Sequence, residues 1–216
     1  MGAFAVIGAG NFGATVAKTL FQGGREIVAV DRDKARIQAI QSFISHGIIA
    51  DATDKTVIGK LGLEAMEAVI VSVGKDVSAS ILITLFLKEI KVPKIIVKVT
   101  NEDHGRALQL VGATDTIFPE RDMALKVAST LISPNILDSF ALSEDYAIME
   151  IAAAADFIGK NLVELDLRKR RDITVIAIKD VLSDLLLVNP PASFVIKDSN
   201  ILVVIGKRSE LEAFSK

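Results

Sequence analysis

Residues Gly8-Ala9-Gly10-Asn11-Phe12-Gly13 decide how this chain is read. They form a G-x-G-x-x-G run that follows the apolar stretch Ala3 to Ile7 and opens a segment with apolar residues at Phe12, Val16, Leu20 and Phe21. That order predicts a strand, a tight turn and a helix, with Gly23-Gly24 as the stop. Each glycine has its own physical role. Gly8 permits the sharp bend, Gly10 lets the backbone approach a pyrophosphate without an intervening Cβ, and Gly13 lets the helix pack close to the strand. An anion held there would meet the N–H groups at the positive end of the helix dipole. Asp31 ends the next β-rich run, about 20 positions further on, where a carboxylate can accept hydrogen bonds from both ribose hydroxyls and repel a 2′-phosphate. Arg32, a residue type that accommodates NADP in such sites, reads here as lying flat along the adenine face beside Asp31.

Outward from the turn, short β-rich runs alternate with longer amphipathic segments. The predicted strands are Ala3 to Ile7, Ile27 to Val30, Ile48 to Ala50, Ala68 to Val73, Lys94 to Val99 and Asp115 to Phe118. The expected fold class is α/β, a Rossmann-like doubly wound parallel sheet, followed by a small C-terminal α+β domain. Asp76 is the expected N-cap of a strongly apolar helix reaching about Leu87 and ended before Pro93. Ser133-Pro134-Asn135 marks a turn-rich break. Beyond it come the strand-like runs Tyr146 to Ile151, Ile173 to Ile178, Leu185 to Val188 and Ile201 to Ile205, with one helix around Asn161 to Leu167 and another from Ser209. The expected domains are therefore 1-140, binding nucleotide, and 141-216. Asp51-Ala52-Thr53 closes the third strand and Val73-Gly74 the fourth, both at the carboxyl edge where open α/β sheets bind ligands. Asp51 reads the adenine edge or caps the helix that follows, and capping is the reading that sequence favours.

Composition narrows the functions. The 216 residues are 50% hydrophobic and 24% charged, the balance of a compact soluble protein. Aromatics make up 5%, so the core must be Val, Ile, Leu and Ala, which suits a parallel sheet. The absence of Cys excludes disulfides, a thiolate nucleophile and iron–sulfur clusters, and His46 and His104 alone cannot make a three-histidine metal site. His46 reads as the exposed end of a helical segment. His104 lies in the acidic helix opening Asn101-Glu102-Asp103-His104. A net charge of -2 gives no reason to expect nucleic acid as a partner. The apolar stretch Ile81 to Leu87 is far short of the ~20 residues of a membrane span, and Ala3 to Ile7 reads as a strand rather than a signal peptide, so the expected location is cytoplasmic.

Together these motifs resemble the regulator-of-potassium-conductance (RCK, or KTN) family in its cytoplasmic KtrA/TrkA type. The resemblance rests on the G-x-G-x-F-G turn, Val30-Asp31-Arg32, Asp51-Ala52-Thr53, Val71-Ser72-Val73-Gly74, Val97-Lys98-Val99 and Gly112-Ala113. Its most specific part is Pro119-Glu120-Arg121-Asp122-Met123, similar to the P-E-[KR]-D-M run that opens the family's crossover helix. It implies a non-enzymatic regulatory subunit of a potassium uptake channel or transporter that senses ATP or ADP. The implied contacts are Gly8, Gly10, Asn11, Phe12, Gly13, Asp31, Arg32, Asp51, Ala52, Thr53, Val73 and Gly74, with Lys98 near the phosphates. Glu120 would meet Mg²⁺ or another cation through the nucleotide phosphates. Read from the residues alone, Lys98 is a solvated strand lysine and Glu120 an acid favoured by a helix dipole. Asn11 stands where relatives that discriminate ATP often carry Arg, which leaves the choice between ATP, ADP and NADH open.

In the C-terminal part the resemblance implies a cleft for cyclic di-AMP, with Asp166, Arg168 as the phosphate contact, and Pro190. From the residues alone, Arg168 to Arg171 is a solvated charged turn. The implied partner is a potassium-translocating membrane subunit of the KtrB/TrkH kind, which would hold the protein on the inner face of the cell membrane. The implied assembly is a dimer-based octameric ring. The helix from Asp76 and the segment Met123 to Ile132 supply more apolar surface than a single chain readily hides. The alternative is an NAD(H)-dependent oxidoreductase with the same Rossmann domain, although the sequence offers no convincing acid–base centre. A plain nucleotide-binding scaffold is a third reading.

Overall fold

Runs of Val, Ile and Ala too short for helices but apolar on both faces can be buried only between two layers of helix. The computed structural model, which describes residues 2–74 and 76–214, arranges them in this way. In chain order the first elements are β1 (Ala3–Ile7), α1 (Asn11–Gln22), β2 (Glu26–Asp31), α2 (Lys34–Ile40), β3 (His46–Ile49), α3 (Lys55–Ile58), β4 (Ala68–Val71), α4 (Val77–Glu89), β5 (Ile95–Lys98), α5 (Glu102–Val111) and β6 (Asp115–Ile117). The six strands form one parallel sheet in the order β3-β2-β1-β4-β5-β6. The order in which strands are added reverses at the neighbouring parallel strands β1 and β4, where Phe4 pairs with Ala68 and Ile7 with Val71. Alternate residues of β1 serve the two faces. Ala5 and Ile7 join Ile83, Leu87 and Leu108 on one side, and Val6 joins Ala17, Ile37 and Ile40 on the other.

Caps set the helix starts. Asp76 accepts from Ala79 N at 2.9 Å, and Asn101 accepts from His104 N at 2.8 Å. Asp51 does not cap α3, contrary to expectation. Asp54 does, accepting from Thr56 N, while Asp51 closes its own tight turn on Thr53. His46 is also displaced from its expected place, since it is the exposed first residue of β3 and not the end of a helix.

The remaining elements are α6 (Pro119–Ile132), β7 (Ile136–Ala141), β8 (Tyr146–Ala152), α7 (Leu162–Leu165), α8 (Leu167–Arg171), β9 (Thr174–Asp180), β10 (Leu185–Val188), β11 (Asn200–Lys207) and α9 (Arg208–Phe214). Their strands form an antiparallel sheet in the order β10-β9-β11-β8-β7. Its core includes Met149, Ile173, Leu202 and Leu211, with the Phe157 and Phe214 rings stacked at 4.8 Å. Strand β7 was not anticipated, because after the Pro134 break only Ile136 of its six residues is buried and no alternation marks it. The single helix expected over Asn161 to Leu167 is divided by Asp166, whose φ of +43° ends α7. Two compact units result, Met1–Glu120 and Arg121–Lys216, against an expected boundary near residue 140. Helix α6 straddles that division in sequence and buries none of its residues. Among the described residues no helix is long and apolar enough to cross a membrane.

Candidate functional site

The carboxyl edge of the parallel sheet opens into a cleft of about 860 Å³, within the ~300–1,000 Å³ range of small-molecule sites. The glycine turn forms its floor. Gly8 has φ +97° and donates its N–H to Val30 O at 2.8 Å. A Cβ there would lie 2.2 Å from Ser72 O, so the close approach of this turn to the residue after β4 requires glycine. Gly13 does not line the cleft. A Cβ on it would lie 2.0 Å from Gly8 O, so its smallness seats α1 against the turn. Gly10 begins α1 without a side-chain cap, and the first turn contains no acidic residue. The amides of that turn have no partner within the helix and point their dipole at the cleft.

Asp31 is 7% exposed. One carboxylate oxygen accepts from Ala9 N at 2.7 Å and the other from Asp33 N at 2.8 Å, which ties the glycine turn to the end of β2. Arg36 brings a guanidinium nitrogen to 3.6 Å from Asp31 and another to 3.5 Å from Asp33. Arg36 lines the cleft and sequence reasoning missed it. Its signal was there, one helical turn past the Asp33 cap on the side that carries Asp31. Arg32 also lines the cleft, and its charge helps to hold the Asp51 carboxyl below its ordinary range. The larger cause is hydrogen bonding from the Thr53 hydroxyl at 2.7 Å and the Thr53 amide at 2.9 Å.

On the other half of the sheet, Val73, Gly74, Asp76 and Lys98 face the same space. Lys98 Nζ donates to Glu120 Oε1 at 2.5 Å and lies 5.8 Å from the centre of the Phe12 ring. The lysine side chain is 17% exposed, whereas that of Glu120 is 72% exposed. The Lys98 hydrogen bond is the main cause that holds the Glu120 carboxyl below its ordinary range, followed by the helix-start amide of Glu120 itself. Pro119 and Glu120 are the first two residues of α6, where a missing N–H is harmless and a negative charge is favoured. Of the residues singled out in the N-terminal sequence, Gly8, Gly10, Asn11, Phe12, Asp31, Arg32, Asp51, Ala52, Thr53, Val73, Gly74, Lys98 and Glu120 all line this one cleft. Neither histidine does. Among the described residues no cluster of three His, Asp or Glu could hold a metal. A cation beside Glu120 would need other ligands, such as phosphate oxygens.

Asp166, Arg168 and Pro190 lie outside the cleft, in the second unit. Asp166 separates α7 from α8, and Arg168 lies exposed in α8. Val163 N donates to Ala192 O at 3.2 Å, which fastens α7 to the segment that follows Pro190.

Comparison with known proteins covers both units. The TrkA-N domain family matches residues 4–119 and the TrkA-C domain family residues 146–216. The chain is 40% identical to the Ktr system potassium uptake protein C of Bacillus subtilis, over 99% of this chain and 96% of that one. It is 36% identical to protein A of the same system and organism, covering 98% and 94%, and 33% identical to the Vibrio alginolyticus protein A, covering 96% and 94%. Among solved structures it resembles the GsuK channel with a TM-score of 0.69 at 20% identity. It resembles the NAD-bound GsuK channel with a TM-score of 0.64 at 19%. The chain aligns over 99% and 97% of its own length but spans 38% of each channel chain, and at these identities the likeness is one of fold.

Proposed function

The chain belongs to the TrkA family of Ktr and Trk potassium-uptake proteins, and from that premise we propose that it is a nucleotide-sensing regulatory subunit that gates potassium uptake. The observation that supports the proposal is the cleft, whose lining brings together the buried Asp31 carboxylate, the glycine turn and the Lys98 ammonium. ATP or ADP suits that set of groups. The ribose hydroxyls lie on Asp31, the first phosphates on the amides after Gly10, and the terminal phosphate reaches Lys98. Lys98 and Glu120 already satisfy one another, so an arriving phosphate must share or displace the lysine. Glu120 then faces a second negative group, and Mg²⁺ or Ca²⁺ would bridge the two with carboxylate and phosphate oxygens as ligands. A ligand drives a conformational change only by as much as its affinity differs between the two states. Rearrangement of the Lys98–Glu120 pair at the start of α6 supplies such a difference here.

The partner in this reading is a KtrB/TrkH-like membrane subunit, reached from the cytoplasmic side by a dimer-based octameric ring. Support for assembly comes from exposed apolar residues on α6, including Met123 at 60%, Leu131 at 77% and Ile132 at 81%. Cyclic di-AMP is proposed for the second unit at Asp166, Arg168 and Pro190. NADH competes for the same cleft, since the glycine turn and Asp31 suit any adenosine diphosphate. An oxidoreductase would further require an acid–base group at the nicotinamide, and both histidines lie elsewhere. Calorimetry with ATP, ADP, NADH and cyclic di-AMP on one preparation tests the proposal. Adenine nucleotides binding at one N-terminal site per chain, without turnover, is the expected result. No binding by ATP or ADP, or reduction of NAD by a metabolite, sinks it.

A further inference from the structure

His104 is 4% exposed and serves none of the roles described so far. Its ring lies between α4 and α5, with Nε2 2.7 Å from Ser80 Oγ. The single proton of the Ser80 hydroxyl is already given to Val77 O at 2.7 Å, so Ser80 must accept from the ring and Nε2 carries the hydrogen. The opposite nitrogen, Nδ1, is then a bare acceptor, and it faces Thr100 N at 3.4 Å and Thr100 Oγ1 at 3.3 Å. This arrangement suits one neutral tautomer. A proton on Nδ1 would point at the Thr100 amide, and burial already pushes the ring's pKa down.

The two ends of this bridge are next to the cleft. Ser80 follows Ala79, which lines the cleft together with Asp76 and Ile83 of α4. Thr84 Oγ1 donates to Ser80 O at 2.7 Å and anchors the same turn from behind. Thr100 lies two residues past Lys98, with the fully buried Val99 between them hydrogen-bonded to Ile117 O. A buried polar link of this kind has few alternatives, since each broken bond leaves a desolvated group unpaired.

We propose that His104 is a positioning residue for nucleotide recognition: by bridging Ser80 to Thr100 it sets the end of β5, and with it Lys98, against the start of α4. The inference rests on the nucleotide-site reading given above and adds to it a group that never touches the ligand. A merely structural histidine would weaken every ligand in step with stability. A positioning histidine acts through Lys98 and so weakens ligands whose phosphate chain is long enough to reach Lys98 while sparing those whose chain is too short.

The test is calorimetry of ATP and AMP on His104→Asn, which keeps an acceptor toward Thr100 but is too short to reach Ser80. The expected result is an ATP affinity about five-fold lower with AMP within about two-fold, as for partial loss of one charge-assisted hydrogen bond. In a Lys98→Met background the His104 substitution should add nothing further, because linked residues are non-additive. If His104→Asn does not fold, Ser80→Ala removes the same hydrogen bond from the α4 side and carries the same comparison. Equal losses for ATP and AMP, or an undiminished effect in Lys98→Met, overturn the proposal. A wild type that binds neither nucleotide overturns the site reading itself, and is thereby told apart from a failure of the His104 bridge alone.

Discussion

The two halves of the parallel sheet meet the same cleft in different conditions. In the β1–β3 half, Asp31 is buried and both its oxygens already accept backbone amides, so this end of the cleft is held in place before any ligand arrives. In the β4–β6 half, a lysine and an exposed glutamate pair with each other, with Asp76 also facing the cleft from the start of α4. The first half is preorganised, which gives affinity at little ordering cost. The second must exchange partners to bind phosphate, and such an exchange can carry a signal. In the proposed function, recognition of adenosine and response to phosphates would thus fall to different strands.

The sharpest way to break this contrast is Gly8→Ala. The added methyl meets Ser72 O, and φ of +97° is strained for alanine, so stability should fall by about 2 to 4 kcal/mol and all nucleotide binding should be lost. Thermal unfolding and calorimetry measure both, and a near-native melting temperature would show that the rigid half is not rigid. Next comes Asp31→Ala, which removes a charged acceptor from the ribose and releases the Ala9 and Asp33 amides. Every adenosine ligand should weaken alike, by about 1.5 to 3 kcal/mol. Unchanged ATP affinity in that variant would place the site elsewhere.

Substitutions in the second half should discriminate between ligands. Glu120→Gln keeps the shape and removes the charge. The strengthening of ATP binding by Mg²⁺, expected to be about ten-fold in the wild type, should shrink in the variant, with ADP responding less. An identical cation effect in both proteins would reduce Glu120 to a helix-opening acid.

The smallest effect is that of pH. The Glu120 carboxyl is held below its ordinary 4.5 chiefly by Lys98. A depressed carboxylate pKa contributes stability that is fully present above the unfolded value and is lost as pH falls through the folded one. The difference in melting temperature between wild type and Glu120→Gln should therefore be present at pH 7 and close below about pH 4.5. Because the glutamate is mostly exposed, that difference should correspond to under about 1 kcal/mol. A gap that widens on acidification would reverse the sign and show that the ion pair does not stabilise the fold.

How much of this was legible in the sequence depends on whether a residue acts through its neighbours in the chain or across the fold. The glycine turn, Asp31 and all six parallel strands were readable because strand, turn and helix each leave a local periodicity. Asp51 was misread as a helix cap because Asp54 offers the same chemistry three residues later, and only the backbone decides between them. Strand β7 left no pattern because it buries a single residue. His104 was read correctly as part of a capped helix opening, but its link to Ser80 spans 24 positions and no local signal reports it. The Lys98–Glu120 pairing was equally invisible. The resemblance brought both residues to the phosphates without showing that they hold each other.

The pairing of β1 with β4 also bears on how the site comes into being. Ala9 to Asp31 and Lys98 to Glu120 are each 22 positions apart, so either half can close its own part of the cleft within one strand–helix–strand unit. Joining the halves requires Phe4 to find Ala68, a loop roughly three times longer and about 1 kcal/mol more costly to close. Because nonlocal strand pairing sets the pace in such topologies, substitutions at Val6, Val69 or Ile70 should slow folding more than equally destabilising ones at Ile37 or Leu108. The two halves of the cleft would then come together only when β1 meets β4.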